Sequence, residues 1–306
     1  MVVPESAGKE DSSAILANLR IRQIVDGDIE PLTDLLTRGF PRPRRLWQER
    51  FERLRARSTP PDMPRYGYLL EADGKPVGVI LSISSLRWIG DRQELFVNLS
   101  SWYVEPAYRS HATQLLRRAI VSRQATYLSI SAATQVRPIY QALGFKRYSD
   151  GQVLAVPALA RNRHKGRTRI VGVERLSECD IDERERHLLE LQAEYGCISF
   201  CCVTDAQTRP FVFLPRIIRR FIPCAQLVYC RSITELTDVA GSVGRHLLSL
   251  GRPFVLIDDN GPIPGLPCKY FPEATPKYYK GAAPPVLGDL TETEATIFGI
   301  WSPTDG

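Results

Sequence analysis

Two short stretches carry residue types and spacings that could do chemistry. Arg109-Ser110-His111-Ala112-Thr113-Gln114 stands between an apolar strand pattern ending at Val104 and a helical pattern opening at Leu115-Leu116. The first N–H groups of a helix have no intrahelical partner, and the helix dipole favours anions there. That stretch therefore places backbone donors and the Arg109 guanidinium where a pyrophosphate could sit. Further on, Tyr140-Gln-Ala-Leu-Gly144-Phe145 ends a short helix at Gly144, a good residue for the position after a helix. A phenol there either donates a proton or packs as a core aromatic. Glu105, Glu94 and Glu71, or a water held by Asn98, Ser100 or Ser101, are the groups available to take a proton, and the sequence does not choose among them. His111 either assists an anion or is an exposed loop residue, while His187 and His246 read as structural helix residues.

The two stretches together resemble the working half of a GNAT-type N-acyltransferase. The resemblance rests on Val104-Glu105-Pro106-Ala107-Tyr108-Arg109 ahead of a helix, then a strand, then Tyr140-x-x-x-Gly144-Phe145. It implies acetyl-CoA or another acyl-CoA as co-substrate and an amine as acceptor. It further implies that Arg109, Ser110, His111, Ala112, Thr113 and Gln114 hold the pyrophosphate. The backbone of Trp102, Tyr103 and Val104 would pair with the pantetheine amide and donate to the thioester oxygen. Tyr140 would be the general acid that protonates the departing thiolate. The chain departs from the family at Ala112 and Gln114, where the phosphate loop has glycine or alanine, and at Ala133, where the family often has Asn. A side chain at Gln114 occupies the space through which glycine lets phosphate approach.

The elements that must position these residues follow from hydrophobic periodicity. Strands are expected at 19–25, 66–71, 77–85, 95–104 and 127–131, with Asp73-Gly74 as a hairpin turn. Helices are expected from Pro31 through Leu32, Leu35 and Leu36, over 44–57, from Leu115, and over 135–143. Two last strands, 145–149 and 152–157, are expected to pair around Asp150-Gly151. The second half repeats the alternation: strand 169–173, helix 182–195, strand 226–230, a capping box of Ser232 with Glu235 opening one helix over 233–250, strand 254–258 and a last strand over 295–301. Gly241 and Gly244 fall inside that helix, too late to meet a phosphate.

The fold expected is α/β with mixed sheets, as tandem GNAT-like units. Residues 1–18 read as a loose tail, 19–157 as the catalytic unit, 158–168 as a basic solvated linker, and 169–303 as a second unit that does not bind coenzyme A. At 306 residues and 43% hydrophobic, the chain has the length for two cores. No apolar run reaches membrane-spanning length, and the N-terminus lacks the features of a signal peptide. The seven cysteines show no disulfide framework, so a reducing, cytoplasmic setting is expected. The cluster Cys197, Cys201, Cys202 lacks a second ligand pair, so buried thiols are expected rather than a metal. A net charge of +6 admits an anionic partner, coenzyme A or RNA, or is a solubility margin. The aromatic and lysine stretch from Lys269 to Gly281 either stacks on a ligand or covers a core edge. Two rival functions remain at this level: a tandem transferase using aminoacyl-tRNA, and a non-catalytic GNAT-like binding module.

Overall fold

The computed structural model describes residues 18–299 apart from 165 and 206. The expected N-terminal tail lies outside the described residues except for Asn18, whose N–H donates to Asp73 Oδ1 at 3.1 Å. In chain order the first half holds β1 (Leu19–Gln23), α1 (Ile29–Gly39), α2 (Arg44–Ala56), β2 (Gly67–Ala72), β3 (Lys75–Ile89), β4 (Arg92–Val104), α3 (Ala112–Ala119), β5 (Ala125–Ser129), α4 (Arg137–Ala142) and β6 (Lys146–Ala155). The second half holds β7 (Thr168–Gly172), α5 (Glu183–Glu194), β8 (Ile198–Thr204), β9 (Thr208–Ile218), β10 (Ile222–Tyr229), α6 (Ile233–Asp238), α7 (Ala240–Ser249), β11 (Phe254–Asp259), β12 (Cys268–Lys280) and α8 (Glu294–Ile297).

The strands form one sheet in the order β1-β2-β3-β4-β5-β12-β6-β11-β10-β9-β8-β7. Each half has the same plan. Four antiparallel strands lead to one parallel neighbour, β4 beside β5 and β10 beside β11. The sixth strands are exchanged: β12 pairs with β5, and β6 pairs with β11. β6 and β12 also pair with each other and close the seam between the halves. Residues 156–167 connect β6 to β7.

The exchange corrects two expected elements. Asp150-Gly151 is not a hairpin turn, because 146–155 is one continuous strand. The glycine serves a close strand approach instead: a Cβ on Gly151 would lie 2.3 Å from the Phe271 carbonyl oxygen of β12. The last strand is not 295–301 either. Residues 294–297 form a single helical turn, with Ala295, Thr296 and Ile297 buried, and 300–301 lie outside the described residues. A short apolar run does not by itself separate strand from buried helix. The sheet's last strand is the aromatic stretch of 268–280, with Tyr278 fully buried.

One helix over 233–250 was expected. It breaks at Val239, whose φ/ψ of −122°/16° leaves the helical region. Beyond the break, α7 lies against the linker backbone. A Cβ on Gly244 would fall 2.1 Å from Ala158 N, so the helix glycines serve contact. Asn162 of the linker accepts from Ser242 N at 3.1 Å, in the first turn of α7.

The core around the first sheet half has two faces. Leu32, Leu36, Trp47 and Phe51 of α1 and α2 pack with Leu69, Val79, Leu81 and Ile297 on one side. Leu115, Leu116 and Tyr140 of α3 and α4 pack with Val97 and Leu99 on the other. Gly151→Ala should lower stability by about 1–3 kcal/mol through overpacking at the seam. Thermal unfolding checks this; an unchanged midpoint would mean that β12 yields at no cost.

Candidate active site

β4 and β5 are joined over four residue pairs, Leu95 with Ala125 to Asn98 with Leu128, and then part. The cause lies in β4. Ser101 has φ 50°, a conformation that a side-chain-bearing residue adopts at a cost, and the β3–β4 register slips between Val79 and Leu81. Such a bulge bends its strand and re-aims the residues beside it. Beyond Asn98, no ladder bond ties the free edge of β4 to β5.

The resulting wedge is filled with polar groups. Asn98 Nδ2 donates to the Leu128 carbonyl at 3.4 Å, and its Oδ1 accepts from the Glu294 N–H at 2.7 Å. The Glu294 carboxylate bridges β4 and the segment that follows β5. Its Oε1 accepts from Ser131 Oγ at 2.6 Å, and its other oxygen accepts from Ser100 Oγ. The α8 turn that carries it starts at Thr293, whose side chain accepts from Ala295 N at 3.2 Å. Ile297 anchors the turn in the α1–α2 core.

Glu294 is 5% exposed, and burial raises its carboxyl pKa, opposed by the two serine hydroxyls and by Arg50. Arg50 is buried as well, its guanidinium 4.6 Å over the Trp47 ring and 5.2 Å over Phe298. Desolvation brings the Arg50 pKa down to about 10, which leaves it charged at neutral pH as the counter-charge to Glu294.

Tyr140 reaches the same place from the α4 side. It is 3% exposed, with ring centroids 6.2 Å from Trp102, 4.8 Å from Phe145 and 6.1 Å from Tyr278. Burial pushes its phenol up to about 12, opposed by a hydrogen bond with Ser129, while the charge on Glu294 adds to the rise. A phenol so raised stays protonated at neutral pH. The Trp102 indole N–H beside it is buried and unpartnered among the described residues.

The expected phosphate stretch differs in form. Residues 106–111 make a 3-10 helix that starts on Pro106, and it spends part of the backbone donors locally. Tyr108 N donates to Glu105 O at 2.9 Å, and Ala112 N donates to Arg109 O. Arg109, Ser110 and Gln114 are exposed; His111, Ala112 and Thr113 are half-buried. His111 Nδ1 and Gln114 Oε1 lie 3.3 Å apart. Of the β4 residues, Val104 is buried toward α3, whereas Tyr103 faces the other side, its ring tilted against Phe40 at 6.0 Å.

The candidate bases separate. Glu105 pairs with Arg38 at 2.8 Å and Glu71 with Arg22 at 2.6 Å, both away from the wedge. Glu94 sits opposite Arg87, far down the strand from the bulge. Asn98 and Ser100 are at the centre, and they hold Glu294, which sequence reasoning missed because it lay at the edge of an expected strand. The signal was Thr293-Glu294 ahead of Ala295-Thr-Ile-Phe298: a cap, an acid in the first turn, then apolar residues. All seven cysteines are free thiols, and six are buried. His187 lines an inter-half cleft, and His246 packs edge-on to Phe200 at 4.7 Å.

No protein-family model and no curated protein matches this sequence. Solved structures do match in shape. A GCN5-related N-acetyltransferase from Anabaena variabilis covers 85% of this chain with 72% of its own, at TM-score 0.57 and 10% identity. Another from Kribbella flavida covers 88% with 72%, at TM-score 0.54 and 13% identity. Eis1 from Mycobacterium abscessus covers 86% with 73%, at TM-score 0.50 and 12% identity. The chain has the tandem GNAT fold. The first GNAT half carries the wedge, the Ser101 bulge and Tyr140. The second supplies β12 and α8, and so brings Glu294 into the first. Among the described residues no helix is long and apolar enough to cross a membrane.

Proposed function

We propose that this protein is an acyl-CoA-dependent N-acyltransferase whose reaction takes place in the β4–β5 wedge of the first half. The observation that carries the reading is geometric: the buried Glu294 carboxylate is held by Ser100 and Ser131 where β4 and β5 part, and Tyr140 is buried beside Trp102 of the same stretch of β4. Pairs of perturbed titratable groups mark acid–base sites.

The wedge fits a thioester substrate in three respects. Among the described residues the edge of β4 beyond Asn98 has no strand partner on the β5 side, the Ser101 bulge re-aims the backbone there, and the Trp102 indole N–H is unpartnered. Acyl-CoA would supply an activated carbonyl. Glu294, held by Ser100 and Ser131, takes the proton from the attacking amine. The β4 backbone at the bulge donates to the oxygen that gains charge. Tyr140 gives its proton to the leaving sulfur and is reset by the proton that Glu294 took. Charge is conserved, and the products are an amide and a thiol.

The phosphate end rests on Arg109 and the start of α3. Arg109→Ala should weaken coenzyme A binding by about 1–3 kcal/mol. Calorimetric titration checks this, and equal affinity in the variant would remove the 109–114 stretch from the site. Among its described residues the second half has no counterpart to this loop. Arg231 is held by Glu185 at 2.5 Å, and Ser232 caps α6 directly, so only the first half is proposed to bind coenzyme A.

A further inference from the structure

A cleft stands where the two halves face each other. It is a cleft of about 980 Å³ between the end of α2, the far end of β3, α5, and the 289–292 segment that leads into α8. That size is at the upper end for small-molecule sites.

The charges in its walls cancel locally. Arg57 pairs with Glu292, Arg87 with Asp289 at 3.3 Å, and Glu185 with Arg231 at 2.5 Å. The Arg184 guanidinium lies 3.6 Å over the Trp88 ring. Such walls do not select a phosphate or a polycation.

What is left unsatisfied is mostly neutral. Gln192 is 1% exposed, and neither its amide N–H nor its carbonyl has a partner among the described residues. The Ser84 and Ser85 hydroxyls are buried and equally unpartnered. Glu292 adds one carboxylate oxygen without a partner, its other oxygen being held by Arg57. All four residues line the cleft. Buried polar groups are rarely left without a hydrogen bond, and each exception needs a reason. Hydroxyls and an amide each donate and accept, so they suit a ligand rich in hydroxyl groups. A lone carboxylate oxygen suits an ammonium.

We infer that this cleft is the acceptor site and takes a neutral-bodied polyhydroxylated amine, an amino sugar of one or two rings. The inference rests on the acyl-transfer reading above. Glu292 stands two residues before Glu294, so the cleft adjoins the segment that carries the proposed base.

The test is calorimetric titration of the full chain with glucosamine and its β-1,4-linked dimer, with spermidine as the polycation control. The sugars should bind more tightly than spermidine. Gln192→Leu should weaken sugar binding about fivefold to tenfold, the loss of one or two hydrogen bonds. The same change removes a buried amide that has no partner in the free protein, so the melting temperature should rise by about 2–4 °C. Ser85→Ala provides a second, smaller change at the same wall and should weaken binding in the same direction. Absence of sugar binding by the wild type overturns the inference, as does equal affinity in both variants. A melting temperature that falls in Gln192→Leu while binding is unchanged also overturns it, because the amide would then be structural. If sugars bind but are never acylated, the acceptor role falls and only a sugar site survives, while the acyl-transfer reading is tested separately by coenzyme A binding at the wedge. If another amine is acylated while sugars fail to bind, the transferase stands and this inference alone falls.

Discussion

Glu294→Gln should reduce turnover by about 10²–10⁴-fold, the contribution of a positioned general base. Gln keeps the shape: its amide oxygen accepts from one of the two serine hydroxyls that hold Glu294 and its amide N–H donates to the other, so the wedge should keep its form. What it cannot do is take a proton. The pH dependence gives a second signature. Only the carboxylate form is active, so wild-type kcat/KM should rise with pH through the Glu294 pKa. Burial places that limb above the ordinary carboxylate range, and it should vanish in the variant. Stability follows with a definite sign. A carboxyl raised in the folded state contributes most below its unfolded value of about 4.3, and that contribution is lost as pH rises through the folded pKa. Gln does not titrate. The variant should therefore gain stability relative to wild type as pH climbs above about 4.3, a difference that thermal unfolding across pH reads directly. Equal turnover in the variant, with the acid limb retained, would exclude Glu294 as the base.

Tyr140→Phe should lower turnover at least about tenfold, and up to about 10⁴-fold, with little change in coenzyme A affinity or melting temperature. The ring makes the packing contacts, with Phe145, Tyr278 and Trp102, and Phe keeps them. The hydroxyl carries the proton. With its pKa pushed up to about 12, the phenol stays protonated throughout the working range, so no alkaline limb from Tyr140 should appear near neutral pH. Normal turnover in the Phe variant would make Tyr140 a core aromatic. A variant that loses mainly stability would make the hydroxyl a structural partner of Ser129.

The first half was legible because its signals are local. Asp73-Gly74 turns the β2–β3 hairpin, Leu32, Leu35 and Leu36 face the core of α1, and the residues around Tyr140 and Gly144 fold as their spacing suggests. What escaped was long-range. Gly151 looks like a turn glycine, but a strand more than a hundred residues away requires it. Lys269 to Gly281 reads as a stretch that stacks on a ligand or covers a core edge, yet 268–280 is a strand, and the register shift between Pro272 and Lys277 accommodates its prolines within β12. Lys277 looks like a surface cation and is instead buried against Asp258 at 2.6 Å. Glu294 is the costliest omission. Periodicity cannot show that a turn near the C-terminal end will enter the first half of the fold. Only the exchange of β12 into the first sheet carries the chain there.

Co-crystallisation with coenzyme A tests the wedge most directly. One molecule should bind per chain, with its sulfur between the Ser101 bulge and the Tyr140 hydroxyl and its pyrophosphate at Arg109 and the start of α3. A sulfur remote from Tyr140, or a coenzyme bound beside α6 in the second half, would contradict the assignment.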